Sequence, residues 1–535
     1  MLTNVAPSPP DRERTVLLDR LRAATELLES IAADRGMLSV LSAEELRRLL
    51  QAVGLVYHPD AAARRRLVKA TESRRRADKA RRDDRVLART GIRTLRRQTV
   101  FTTPSVFPPR AFEPRDIAPG VADEADSRAP NGTREAVDSR SCYVCKGAYS
   151  TVHHFYDRLC APCGDLNFAK RTELADLRGR VALLTGGRVK IGYQAGLKLL
   201  RAGAQLIVST RFPRDAAARY AREADFGDWE HRLEIFGLDL RHTPSVEMFC
   251  RELLAKRSRL DFIINNACQT VRRPPDFYAH MMAGEIAALR DMPGQVRKLL
   301  GTYEGLRSDH LLSESGTPLV PNAEPNRAGP EPAGLTRAAQ LSQVPLLPEE
   351  FHAQQALFPA GRLDQDLQQV DLRGHNSWRM LMAEVPAVEL LEVQLVNAIA
   401  PFIVNARLKS LMLRTPERDK HIVNVSAVEG QFYRSFKTTR HPHTNMAKAA
   451  LNMMTRTAAT DYHGDGIHMN SVDTGWVTDE DPAEIAARKT AEQLFHPPLD
   501  IVDGAARILD PIMNGMNTGR HVWGQFLKDY RPADW

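Results

Sequence analysis

Two groups of residues in this sequence have types and spacings that can do chemistry. Cys142-Tyr-Val-Cys145 and Cys160-Ala-Pro-Cys163 are two Cys-x-x-Cys pairs with fourteen residues between them. Each pair can wrap a tight turn around one ion. Four thiolates complete a tetrahedral shell with no open position, so the pattern predicts a structural zinc ion on Cys142, Cys145, Cys160 and Cys163. A redox dithiol is the competing reading, and it needs only one pair. His153 and His154 lie between the pairs, and with the shell already full they are expected at the surface. The second group is Thr185-Gly186-Gly187-Arg188-Val189-Lys190-Ile191-Gly192. Glycines let a backbone come close to an anion. A helix opening at Gly192 adds free N–H groups and partial positive charge, which is what cradling a pyrophosphate requires.

These residues need elements to position them. Val181 to Leu184 form a short apolar run, as a strand buried on both faces does. Tyr193 to Ala202 have helical spacing of apolar residues at Ala195, Leu197, Leu199 and Leu200. A second strand, Gln205 to Ser209, ends at Thr210-Arg211; Asp239-Leu240 closes a third; Phe262-Ile263-Ile264 leads into Asn265-Asn266-Ala267. Far downstream, the apolar strand Ile422 to Val425 presents Ser426, and helices carry Asn397 and Lys448. Strand–helix alternation predicts an α/β fold, a Rossmann-type doubly wound parallel sheet. An N-terminal helical region and a small zinc-binding module precede it.

In this order the residues resemble the short-chain dehydrogenase/reductase superfamily, over roughly residues 175–280 and 389–535. The resemblance implies an NAD(P)(H)-dependent oxidoreductase acting on a small carbonyl or alcohol substrate. In the family a tyrosine exchanges the substrate proton, and a lysine one helical turn later lowers its pKa and holds the ribose. A serine binds the carbonyl, and an asparagine anchors a relay water. Asn397, Ser426 and Lys448 match, but Thr444 stands where the tyrosine belongs. An alkanol hydroxyl has a pKa too high for one lysine to tune to neutral pH. Three accounts follow. Another group, His443 first and then His441 or Tyr433, serves as the acid; or water serves; or the domain binds nucleotide without redox chemistry, as a regulatory or scaffold protein that meets partners through the cysteine module and a basic arm. The implied cofactor contacts are Thr185, Gly186, Gly187, Arg188, Lys190, Ile191, Gly192, Arg211, Asp239, Leu240, Asn266, Ala267 and Lys448. Lys190 occupies a family glycine position. Cys268 replaces another and is expected to be a small buried filler. Arg211 ends the second strand where a carboxylate would hold a ribose 2′-OH, so NADP(H) is favoured over NAD(H), with Arg188 and Lys190 adding positive charge.

With 535 residues, 43% of them hydrophobic, the chain has room for more than one domain. The reading divides it into a helical region with a basic arm (1–100), a linker (101–139), a four-cysteine zinc knuckle (140–172) and the dinucleotide-binding domain (175–535). Residues 281–388 interrupt that domain as an insertion whose middle, 313–350, is expected to be a mobile loop. The knuckle ends so close to Val181 that it is expected to pack onto this domain. The net charge of +8 is uneven: residues 64–97 hold fifteen Lys/Arg against four Asp/Glu, hence +11, leaving −3 elsewhere. Contact of residues 61–98 with nucleic acid or another polyanion is therefore conceivable, but a solvated helix is favoured, since no aromatics interleave. No signal core and no run of eighteen apolar residues occurs, so no membrane span and a reduced, cytoplasmic setting are expected. Family members self-associate, which makes a homo-oligomer the expected state.

Overall fold

Val181–Thr185 (β3) is buried along its whole length, as a strand covered on both faces must be. Around it, the computed structural model describes residues 9–96, 135–303, 337–352, 354–364, 368–433 and 437–535. β3 is central to an eight-stranded sheet with Gln205–Thr210 (β4), Leu233–Gly237 (β5), Phe262–Asn265 (β6), Lys420–Ser426 (β7), Ile467–Asp473 (β8), Phe526–Lys528 (β9) and Arg531–Ala533 (β10). The order is β10-β9-β8-β7-β6-β3-β4-β5, and every pair is parallel except β9–β10. The strand order reverses between β3 and β6, and a crevice opens there at the carboxyl ends of the strands.

Helices cover both faces. Lys190–Arg201 and Ile501–Thr518 pack with Leu184, Val208, Ile264 and Val423 on one face. Thr243–Lys256 and Ala387–Met412 pack with Leu183, Ile207, Ile263 and Ile422 on the other. Alternate residues of each strand thus enter opposite cores. Ala387–Met412, with mean hydropathy 1.7, is the one described helix long and apolar enough to cross a membrane. Its Val404, Leu408, Leu411 and Met412 are instead spent on the sheet. The helix widens into a π turn at Leu395–Ile399, which carries Asn397.

The cysteine module is a hairpin of Glu135–Ser141 (β1) and Ala148–Thr151 (β2) followed by the helix Ala161–Thr172. It packs on the eight-stranded sheet domain through Cys142, Phe155, Tyr156 and Leu159 against Val477, Leu499 and Ile501. Arg171 pairs with Asp500 at 2.7 Å and Asp503 at 3.0 Å, and Arg507 reaches Asn167 at 2.7 Å.

The chain forms two compact units, Met1–Arg82 and Asp83–Trp535. The first contains Pro9–Ala33, Ala43–Tyr57 and most of Ala61–Leu87. Ser42 and Glu45 form the capping box that the sequence suggests, and no described side chain up to Arg82 is buried. Several expectations shift. The end of the basic arm is not solvated: Gly91–Arg96 is a helix with Ile92 buried, and Arg93 pairs with Asp157 and with Asp84 at 3.0 Å. Residues 135–139 are strand, not linker, while 97–134 lie outside the described residues. So does 304–336, most of the expected loop; its end holds short helices at Ala338–Leu341 and Pro348–Phe351. His153 is buried, because its Nδ1 accepts the N–H groups of Phe155 (3.1 Å) and Tyr156 (3.2 Å) and so fixes the turn; His154 is exposed.

Candidate functional site

The turn after β3 is shaped by steric limits. Gly186 has φ +70°, and a Cβ there would lie 2.8 Å from Ala267 Cα. A Cβ on Gly192 would lie 2.2 Å from the Gly186 carbonyl oxygen and 2.4 Å from Asn266 Nδ2. The Asn266 amide donates to the carbonyls of Thr185 and Gly186, both at 3.1 Å, and the Thr185 hydroxyl accepts from Ala267 N at 3.1 Å. Lys190, in place of a glycine, still takes the left-handed conformation at φ +54°, a local strain of about 1 kcal/mol. The helix it opens has no acidic residue in its first turn, which suits an anion.

A cavity of 550 Å³ opens here. Gly186, Arg188, Lys190, Ile191 and Gly192 line it together with Arg211, Asp239, Leu240, Asn266 and Ala267, so ten of the predicted cofactor contacts share one space. Cys268 also lines it and is exposed, not buried, because the chain turns outward after β6. The far wall comes from the insertion (Gln368 to Asp371) and from Thr478 to Ala483 beyond β8. The insertion and the region after Gly475 are where the sequence leads one to expect the substrate pocket, but neither carries a motif that singles out these residues.

The cationic residues of the cavity differ in availability. Arg188 is held by Asp215 at 2.7 Å, Arg273 by Asp371, and Arg241 by Asp239 at 2.7 Å and Glu392 at 2.8 Å. Asp239, one of the implied cofactor contacts, therefore has its carboxylate chelated. Glu480 sits beside Lys190: burial pushes its carboxyl up, but the lysine charge and the Thr478 hydroxyl outweigh this and hold it low. Arg211 has no carboxylate within ion-pair distance among the described residues, although, against the upward push of burial, its charge helps Arg241 hold the Asp239 carboxyl low; its guanidinium donates to the Tyr278 hydroxyl at 2.6 Å and lies over the Tyr278 ring.

The predicted catalytic residues gather outside this cavity. Thr444, Lys448 and Asn452 occupy successive turns of Pro442–Gly464 and so form one stripe, which faces the end of β7. Lys448 Nζ donates to Val425 O at 2.8 Å, and Ser426 Oγ donates to Asn452 Oδ1 at 2.6 Å. The Thr444 hydroxyl is buried with no partner among the described residues. His443, about 100° round the helix, is also buried, with Nε2 3.4 Å from Glu389 Oε1. Burial pushes Glu389 up, but the His443 ring and the charge of Arg272 outweigh it and keep the carboxyl below its ordinary range. His441 stacks on Trp378 at 3.8 Å, and Tyr433 is exposed, so neither joins the stripe. The Asn397 amide is engaged twice by Gln269, accepting from its N–H at 2.8 Å and donating to its carbonyl at 3.1 Å.

Two further residues matter and left little trace in the sequence. Asn452 is four residues past Lys448, a spacing that signals a shared face. Asp473, at the end of β8, accepts from Val428 N and Gly475 N, both at 3.1 Å, and so ties the loop after Ser426 to the wall of the cavity. Burial pushes its carboxyl up to about 6, with Glu429 and Asp529 adding and Lys528 opposing.

In the cysteine module, one Sγ from each of Cys142, Cys145, Cys160 and Cys163 lies within 4.8 Å of the others. The Cys145–Cys160 separation is 3.7 Å, against about 3.8 Å for the edge of a tetrahedron with 2.3 Å metal–sulfur bonds. The Gly147 N–H, with the neighbouring thiols, draws Cys145 down to about 7. Tyr143, inside the first pair, accepts from Trp476 N at 2.9 Å beside the Gly475 turn.

The family model described as short chain dehydrogenase matches residues 180–283, and the one described as Enoyl-(Acyl carrier protein) reductase matches 366–497, with most of the insertion between them. Uncharacterized protein R665 of Acanthamoeba polyphaga mimivirus is 28% identical over 80% of this chain and 83% of its own length. Dehydrogenase/reductase SDR family member 13 of Homo sapiens is 34% identical, over 23% of this chain and 29% of its own. The chain thus spans under a third of that relative. The Pseudomonas aeruginosa RhlG/NADP active-site complex is 16% identical, covering 66% of this chain and 95% of that one, with a TM-score of 0.38.

Proposed function

We propose that this chain, a member of the short-chain dehydrogenase/reductase superfamily, is an NADP(H)-dependent oxidoreductase acting on a small carbonyl or alcohol, with a structural zinc ion in its cysteine module. The dinucleotide would lie in the 550 Å³ cavity, its pyrophosphate against Gly186 to Gly192 and the helix N-terminus. A Cβ at Gly192 would clash with the Gly186 carbonyl and one at Gly186 with Ala267 after β6, so the cradle exists only with glycine there. One observation carries the cofactor preference: Arg211, at the end of β4, is a cation of the cavity with no carboxylate within ion-pair distance among the described residues, and Tyr278 holds it in place. A 2′-phosphate supplies the missing anion.

When bound, the dinucleotide supplies or accepts the hydride. The chain's own residues handle the oxygen. Ser426 Oγ turns from Asn452 to the substrate oxygen. Lys448 Nζ, three donors on one stem and now on Val425 O, would polarise the water that gives up the proton in reduction. Thr444 Oγ1, buried and unpartnered, accepts a hydrogen bond from that water. His443 faces Glu389 instead, which favours water over histidine as the donor. Carbonyl, hydride and a proton from water give alcohol, oxidised cofactor and hydroxide. We also propose self-association through the exposed Leu391 and Phe402 of one helix and Met446 and Met453 of another.

The test is a fluorescence titration of metal-replete protein with NADPH and with NADH. Saturable NADPH binding is expected, with weaker NADH binding. Arg211→Ala should weaken NADPH at least about tenfold, the loss of a charge-assisted contact, and leave NADH unchanged. Equal loss for both cofactors removes the 2′-phosphate assignment, and no binding of either removes the reading.

A further inference from the structure

At the end of the sheet remote from the cavity, histidines converge. His421 is the second residue of β7 and His468 the second of β8, and they are register partners. Register partners on adjacent strands project to one face. His521 follows the helix Ile501–Thr518, and its Nδ1 lies 2.9 Å from His421 Nε2. The three ring centroids are 4.9 to 5.2 Å apart, and one nitrogen from each ring lies within 4.8 Å of the other two. His463, in the last turn of its helix, flanks His468 at 5.4 Å, and its Nδ1 is buried with no partner among the described residues.

The surroundings leave room at the ring nitrogens. Gly515 sits inside the Ile501–Thr518 helix, where glycine costs about 1 kcal/mol against alanine. A Cβ at Gly515 would lie 2.6 Å from His521 Nδ1 and 3.1 Å from His421 Nε2. The helix therefore gives up propensity at the position that faces the two nitrogens. His468 Nδ1 is 3.1 Å from the Lys420 carbonyl. A carbonyl only accepts, so Nδ1 carries the proton and Nε2 keeps a lone pair, which is the outer-shell pattern of metal-bound histidine. His421 is five residues from Ser426 along one strand, roughly 17 Å away, so the cluster takes no part in the chemistry proposed above.

We propose that His421, His468 and His521 form a second metal site, for one borderline divalent transition-metal ion of the zinc, nickel or cobalt type. Three neutral imidazoles are the donor set such ions prefer, and the fourth position falls to water or His463. An ion with 2.0–2.1 Å bonds sets its nitrogens about 3.3 Å apart. The 2.9 Å contact would open by about 0.4 Å, and the other nitrogen separations, at most 4.8 Å, would close by no more than about 1.5 Å. The bound ion cross-links the starts of β7 and β8 to the segment after the Ile501–Thr518 helix and stabilises the sheet from the side opposite the cofactor.

The experiment compares tag-free, full-length wild type with His521→Ala, each stripped of metal and titrated with cobalt(II). His521 is the most exposed of the three, so its truncation leaves the core intact. The four-cysteine module serves as an internal control, because thiolate-to-cobalt charge transfer reports it and imidazoles give no such band. Wild type is expected to bind one ion more per chain than His521→Ala, with the charge-transfer band equal in both and a melting temperature raised by metal in wild type only. His468→Gln, isolated from the exposed ligand, should lose the same ion. Equal stoichiometry in wild type and both variants overturns the site and marks any extra ion as adventitious. The comparison holds whether or not the cysteine module binds its own ion.

Discussion

The proposed nucleotide end and the proposed proton-transfer end share one sheet but are secured by different physics. At the nucleotide end the constraints are steric. Gly186 and Gly192 are closed in by backbone at 2.2 to 2.8 Å from any added Cβ, and Asn266 clamps the turn from β6. At the other end the constraints are hydrogen bonds that the protein makes with itself: Ser426 to Asn452, Lys448 to Val425 O, Asn397 to Gln269. A steric cradle tolerates changes beside it, as Lys190 shows by adopting a glycine conformation. A hydrogen-bonded site tolerates loss of one member only if another can supply the proton. Under the proposed function, Thr444 in place of a tyrosine would change the chemistry of one end and leave the binding geometry of the other.

The strongest way to break this comparison is Gly192→Val. Its Cβ would enter the Gly186 carbonyl, so NADPH binding should fall at least about a hundredfold while the far-UV circular dichroism is kept; unchanged affinity would show that the cradle is not steric. Lys448→Ala should lower turnover about a hundredfold, the scale of one acid–base contribution, with a much smaller change in cofactor affinity. A parallel loss of both would mean that the two ends are not separable. Asp473 joins them, and its pH dependence sharpens the picture. Its folded pKa of about 6 stands above the ordinary 3.8, so the protonated form is the one folding favours. That contribution is whole below about pH 4 and is lost as pH rises through about 6, a change of about 3 kcal/mol. Asp473→Asn should flatten this slope in urea unfolding measured at pH 4 and pH 7. The smallest effect is expected from Thr444→Val, which replaces a buried, unpartnered hydroxyl by an isosteric methyl. It should gain about 1 kcal/mol of stability, read as a rise in melting temperature. Turnover should stay within about twofold if the Thr444 hydroxyl only accepts from water, and a tenfold loss would make it part of the proton path.

Much of this was legible in the residues. The runs Val181–Leu184 and Ile422–Val425 are apolar because strands covered on both faces have no solvent side, and that pattern is local. The glycines of the phosphate turn are legible for the same reason, since left-handed backbone and close approach are properties of one or a few residues. Asn452 was half-legible: its spacing from Lys448 places it on the stripe, but only the end of β7 shows that it holds Ser426.

The sequence by itself determined the strand–turn–helix unit, the four-cysteine pattern, and the Thr444 and Lys448 positions on one helical face, because each depends on neighbours within a turn or two. Tertiary structure alone decided which cations of the cavity remain without a carboxylate, since Asp215, Asp371 and Glu392 come from distant elements to neutralise Arg188, Arg273 and Arg241 and leave Arg211. It decided that Gly91–Arg96, inside a strongly basic stretch, serves as a buried prop for the cysteine module. It also brought His421, His468 and His521 together from positions 100 residues apart in the chain. Charge pairing and ligand clustering depend on distance in space, and distance along the chain carries no record of it until the sheet is formed.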